Sequence, residues 1–157
     1  MTAFAFVFPG QGSQSVGMLS AWGDHPAVRA TLEEASAALG EDVARLIGEG
    51  PKEALDLTTN TQPVMLTAGI ANYRAWLAEG GAAPAIVAGH SLGEYTALSA
   101  YGQIFSLENV LEIVFQRGST MHHLVPRDEE GRSNYQLGAL RPNQFGVGDD
   151  GVREYVE

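Results

Sequence analysis

Residues 84–100 read PAIVAGHSLGEYTALSA, and the parsing of this stretch decides the fold. Pro84 to Gly89 is a short apolar run that stops at a glycine, and strong helix formers follow from Leu92, so the spacing predicts strand, sharp turn, helix. Gly89-His90-Ser91-Leu92-Gly93 fits G-x-S-x-G in the strand-to-helix context that a nucleophile elbow requires. The spacing has a physical cause: with Ser91 at the tip of a strained turn, side chains two residues to either side would collide. A helix starting there also aims free N–H groups and the positive dipole end at any oxyanion forming beside Ser91. The plainer alternative is a serine N-cap between two structural glycines, and the pentapeptide alone does not separate the two.

Working outward, AFAFVF (residues 3–8) is a continuous apolar run ending at PGQG, which predicts a buried central strand entering a tight turn. His25-Pro26 starts a helix whose Val28, Leu32, Ala35 and Leu39 share a face until Gly40. Thr61 as cap, Pro63 in the first turn and Gly80 past the end mark another helix. Ser106 caps LENVLEIVFQRGSTMHHL, where Leu107, Val110, Leu111, Val114 and Met121 form a stripe. Val125 to Asn134 is polar and rich in breakers, the best boundary candidate. Beyond it, YQLGAL reads as a strand and DDGVREYVE as a helix. Strands separated by helices of this length predict a parallel sheet in an α/β architecture.

A chain of 157 residues, 45% hydrophobic and 18% charged, is sized for a globular domain with a real core. The absence of cysteine excludes disulfides, thiolate metal sites and cysteine nucleophiles. With 9 basic against 19 acidic residues the net charge is -10, the opposite of a nucleic-acid binder's balance. The N-terminus has no basic residue before its apolar run, so no signal peptide is expected, and no stretch is apolar enough to span a bilayer. A cytoplasmic location is the default expectation.

Two further features carry chemistry. Phe8-Pro9-Gly10-Gln11-Gly12-Ser13-Gln14 follows the first strand; if that strand lies beside the one leading to Ser91, both open on the same sheet edge, where open α/β sheets hold ligands. Gln11 could then offer its backbone N–H to an oxyanion; the alternative is a plain strand-to-helix turn. A phosphate loop is disfavoured, because neither G-x-G-x-x-G nor a G-K-[ST] ending is present. Arg117 comes late in a helix and reads either as a cationic C-terminal cap or as the partner of an acyl group bearing a carboxylate.

FPGQGSQ, TQPVMLTAG and AGHSLGEYTAL together strongly resemble the malonyl-CoA:acyl-carrier-protein transacylase family over residues 3–100. From about Tyr101 to Pro142 the sequence looks like the malonyl/palmitoyl transferase domain of type I fatty-acid synthases of the fungal and mycobacterial kind, within the same superfamily. The resemblance implies an incomplete hydrolase-like parallel-sheet acyltransferase core over residues 1–127 and the start of a truncated ferredoxin-like subdomain over 128–157. It makes Ser91 the acyl-bearing nucleophile, Gln11 and Leu92 the oxyanion N–H donors, and Arg117 the holder of the malonyl carboxylate. His90 has a structural role there, and Gln62 matches the family's TQP glutamine. It implies transfer of malonyl, with palmitoyl as an alternative, between coenzyme A and acyl carrier protein. No metal or cofactor is implied; a coenzyme A thioester, acyl carrier protein and other synthase domains or a complementary chain are the expected partners, with no nucleic acid or membrane. Arg127, Arg132 or Arg141 could contact the carrier protein.

The resemblance implies that the base is a histidine on a later segment, so it is expected to lie past residue 157 rather than within this sequence. Among the four histidines here, His25 reads as a surface residue beside a helix-start proline, His90 points away from Ser91, and His122 and His123 lie beyond Arg117. Impaired turnover is therefore expected, with slow self-acylation remaining. Two alternatives stand: a non-catalytic fragment or half of a split enzyme that needs a partner, and another G-x-S-x-G serine hydrolase. Loss of the returning strands is expected to leave sheet edges and an apolar face uncovered.

Overall fold

In a computed structural model that describes residues 3–128, β1 (Ala5–Phe8) pairs in parallel with β2 (Ile86–Gly89), Ala5 opposite Ile86 and Phe8 opposite Gly89. The chain divides into two compact units, Met1–Leu124 and Val125–Glu157, and the first carries every element named below. Because the strands are parallel and in this register, the turns that follow them leave from the same edge. That juxtaposes the segment after Phe8 with Ser91.

The described residues hold six α-helices, four between the strands and two after β2: α1 (Pro26–Leu39), α2 (Val43–Glu49), α3 (Lys52–Leu55), α4 (Thr58–Ala78), α5 (Leu92–Ala100) and α6 (Leu107–Leu124). The core lies where α4 meets α1, α5 and α6, around the fully buried Ile47, Leu55, Leu66, Leu92, Val110, Leu111 and Val114. Each such leucine, cut to alanine, would cost about 2–5 kcal/mol through lost transfer energy and the cavity left behind. A second cluster, Phe8, Tyr73 and Ala97 with Phe6 and Val87, glues the sheet to α4 and α5. Phe6 meets Tyr73 and Trp76 edge-on at 5.5 and 5.8 Å, the arrangement that aromatic quadrupoles favour.

Three expectations need correction. The first strand was expected to be buried, but among the described residues the sheet has two strands and only one face is covered. Phe8 is 4% exposed, whereas Val7 on the opposite face is 70% exposed and Ile86, on that same face, 64%. An unbroken apolar run does not say which layer covers each face. The long helix begins at Thr58, not after a Thr61 cap, and Pro63 lies inside it. The missing proline N–H forfeits one bond to the Thr59 carbonyl. The turn holds because Thr61 Oγ1 donates to the Leu55 and Leu57 carbonyls at 2.6 and 2.9 Å and residues 61–68 are all buried. The α6 stripe is buried at Leu107, Val110, Leu111, Val114 and Gly118, but Met121 is 40% exposed.

The other caps match their residue types. Gly40 ends α1 and Gly80 follows α4, both with positive φ, and Ser106 Oγ accepts from the Asn109 N–H at the start of α6. No described helix is long and apolar enough to cross a membrane. The strand and helix expected at YQLGAL and DDGVREYVE, the ferredoxin-like subdomain beyond Asp128, and Arg132 and Arg141 lie outside the described residues.

Candidate active site

The turn between β2 and α5 is built as the glycines require. Ser91 sits at φ 54°, ψ -107°, a region that side-chain-bearing residues rarely occupy and that costs of order 1–3 kcal/mol. A Cβ on Gly89 would lie 2.0 Å from the Gly93 carbonyl, and one on Gly93 would lie 2.0 Å from the carbonyl of Phe8. The expected collision is therefore with backbone rather than between side chains: Gly89 lets the turn close, and Gly93 lets α5 press on the end of β1. Glu94 Oε1 accepts from the Ser91 N–H at 3.2 Å, and the Gly93 N–H donates to the His90 carbonyl at 2.9 Å. The Leu92 N–H, in the first turn, has no acceptor within its own helix, while its side chain is fully buried and anchors the turn in the core.

The segment after β1 packs on this turn. The His90 N–H donates to the Phe8 carbonyl at 3.3 Å, and a Cβ on Gly10 would come within 2.9 Å of the His90 carbonyl. Gln11 is exposed, and its Nε2 donates to Thr58 Oγ1 at 3.1 Å, at the start of α4. Gln14 folds its Oε1 back to the Gly12 N–H at 2.8 Å and donates through Nε2 to Asp56 Oδ1 at 2.9 Å. Asp56 in turn pairs with Lys52. The bonds from Lys52 and Gln14 hold the Asp56 carboxyl below its ordinary value.

From the other side α6 brings Arg117. Its Nη2 donates to Ser91 Oγ at 2.7 Å and its Nη1 to Gln62 Oε1 at 2.7 Å, and Cζ lies 5.8 Å from the centre of the Tyr95 ring. Gln62 is fully buried on α4, and its Nε2 donates to Met121 Sδ at 3.3 Å. Gly118 makes the approach of α6 to α4 possible, since a Cβ there would meet the Thr58 carbonyl at 2.8 Å.

The fold thus brings together Ser91, Arg117 and the backbone of Leu92, with the Gln11 segment seated on the preceding residue. Gln62 and Tyr95 are contacts of Arg117 that sequence reasoning left without a role, and Met121, read there as part of the apolar stripe, accepts instead from Gln62. The (i, i+4) spacing of Arg117 and Met121, which puts both on one helix face, was the available signal for Met121. Of the histidines, His25 is part-buried at the surface, with its side chain 13% exposed: Nδ1 caps α1 by accepting from the Ala27 N–H, and Nε2 pairs with the exposed Glu79. His90 is exposed, and His123 Nδ1 lies 2.7 Å from the Ser119 carbonyl of its own helix.

A family model described as the acyl transferase domain matches residues 5–152. The chain belongs to that family. Its fold is an incomplete α/β acyltransferase core, as the resemblance implied. Among curated relatives, the malonyl CoA-acyl carrier protein transacylase of Salmonella typhimurium is 50% identical over 134 residues, 85% of this chain and 43% of that protein. Since 134 residues exceed the span 3–100, the likeness to this acyl transferase continues past Tyr101. The crystal structure of acyl-carrier-protein S-malonyltransferase from Burkholderia pseudomallei superposes with a TM-score of 0.76 at 61% identity, covering 80% of this chain and 40% of that one. A malonyl-transacylase solved in complex with a type II polyketide acyl-carrier protein gives 0.76 at 45% identity, over 80% of this chain and 41% of that one. The chain spans about two fifths of the length of these relatives.

Proposed function

We propose that this chain carries the acyl-accepting half of a malonyl transferase of fatty-acid synthesis. The observation that carries the reading is the 2.7 Å contact between Arg117 Nη2 and Ser91 Oγ. It sets a permanent cation beside a strained serine at a strand-to-helix turn. An acyl group esterified to Ser91 and bearing a terminal carboxylate has that cation within reach, and guanidinium binds carboxylate through two parallel hydrogen bonds.

In the proposed reaction Ser91 Oγ attacks the carbonyl of a malonyl coenzyme A thioester. The backbone N–H groups of Leu92 and Gln11 receive the negative oxygen of the tetrahedral intermediate. The C–S bond breaks, the coenzyme A thiol leaves with the proton taken from Ser91, and a malonyl ester remains. Attack by the phosphopantetheine thiol of an acyl carrier protein then breaks the ester and returns the proton to Oγ. Both steps are redox-neutral exchanges of ester and thioester, so their balance calls for no further cofactor.

Arg117 cannot serve as the base, because guanidinium stays protonated at any working pH. The reading therefore assigns proton removal to a histidine on further polypeptide, in cis or in trans. A second reading, a fragment or half enzyme that acts only with a complementary chain, is favoured by one observation. Val7 and Ile86 expose an apolar sheet face, and a groove of about 360 Å³ beside β2 is lined by Val87, Ala97, Leu98 and Tyr101.

Intact-mass measurement after incubation with malonyl-CoA tests the first reading. A malonyl adduct absent in Ser91→Ala is expected; no adduct in a folded chain, with or without added complementary polypeptide, would remove Ser91 from the mechanism. An ester substrate without a carboxylate that acylates Ser91 equally well would favour a different serine hydrolase.

A further inference from the structure

We infer that Gln62 is a positioning residue that orients Arg117 and so sets the preference for a carboxylate-bearing acyl group; the inference rests on the reading of Arg117 given above. Gln62 is fully buried in the second turn of α4, where an aliphatic side chain of similar volume would need no hydrogen-bond partner. Both ends of its amide are instead used. Oε1 accepts from Arg117 Nη1 at 2.7 Å and Nε2 donates to Met121 Sδ at 3.3 Å. A flipped amide would aim N–H at N–H, so the two partners fix its orientation.

The acceptor chosen is neutral, which matters for the charge left at Arg117. A carboxylate in that place would pair with the guanidinium and compete with the carboxylate of an incoming acyl group. The glutamine carbonyl holds one nitrogen and leaves the full positive charge for the ligand. With Nη1 tied to α4 and Tyr95 5.8 Å from Cζ, the Nη2 edge is held toward Ser91. Gly118 lets α6 come this close to α4, because a Cβ there would meet the Thr58 carbonyl at 2.8 Å.

The test compares the affinity of malonyl-CoA with that of acetyl-CoA by calorimetry in the full chain carrying Ser91→Ala, so that no acyl transfer intervenes. Gln62→Glu, nearly isosteric, and Gln62→Met are added to this background, with folding checked by circular dichroism. The parent is expected to prefer malonyl-CoA by about tenfold or more, as a charge-assisted hydrogen bond supplies. Gln62→Glu should abolish that preference and Gln62→Met reduce it, both leaving acetyl-CoA affinity within about threefold of the parent. Equal losses for both thioesters would make Gln62 merely structural, and an unchanged ratio in either folded variant would overturn the inference. A parent with no preference would instead overturn the reading of Arg117, and the inference with it.

Discussion

Arg117 Nη2 reaches Ser91 Oγ across 2.7 Å, although one residue lies on α6 and the other in the turn before α5, 26 positions apart. The contact ties the last turns of α6 to the turn before α5, so the cation and the hydroxyl share one small volume. Lysine keeps the charge but loses the planar fork. Arg117→Lys is expected to weaken malonyl loading about 10- to 100-fold, the range of a lost charge-assisted hydrogen bond, with acetyl loading little changed. Time-resolved intact mass with the two thioesters checks it.

The backbone of Ser91 holds a conformation that glycine adopts freely. Ser91→Gly is therefore expected to abolish acylation while raising stability by about 1 kcal/mol, the released strain less the entropy of an added glycine. Urea denaturation reads the stability and mass spectrometry the loss of adduct.

Two glycines should respond in opposite directions to the same added methyl group. Gly93→Ala drives a Cβ to 2.0 Å from the Phe8 carbonyl and is expected to destabilise by about 3 kcal/mol or more. Gly48 lies in α2 with open space around it and no positive φ, so Gly48→Ala should stabilise by about 0.5–1 kcal/mol. Thermal melts of the pair separate steric need from propensity.

The brace from Gln14 through Asp56 to Lys52 predicts a sign for pH dependence. Asp56 is held below its ordinary value of 3.8 in the folded chain, by Lys52 and then Gln14. A depressed carboxyl contributes stability that is fully present above the unfolded value and is lost as pH falls through the folded one. Comparison of melting temperatures for the wild type and Asp56→Asn should show a difference that is constant at neutral and mildly acidic pH. It should shrink only below the ordinary carboxylate range. A difference that grew with acid would contradict the brace.

The strand, turn and helix around Ser91 were legible because every determinant is local: an apolar run, two glycines and helix formers within 17 residues, 84–100. The adjacency of the PGQG segment to Ser91 followed from one further step, the parallel pairing of two strands. The start of α4 was not legible, because Pro63 signals a first turn by propensity while burial of the whole segment carries the helix through it. Gln62 was visible as a motif residue, but its partner lies 55 positions away and no local pattern encodes that pairing. The exposed face at Val7 and Ile86 was illegible in the strand itself, since an apolar run reports side-chain chemistry and not what covers it.

The central claim is that Ser91 accepts the acyl group and Arg117 reads its carboxylate. The most direct test is the ratio of malonyl to acetyl adduct on the chain and on Arg117→Ala, by intact mass after equal exposure to the two coenzyme A thioesters. The account expects malonyl to dominate on the chain, and Arg117→Ala to lose that dominance while still taking acetyl on Ser91. A ratio unchanged by Arg117→Ala, or a malonyl adduct that survives Ser91→Ala, would contradict it.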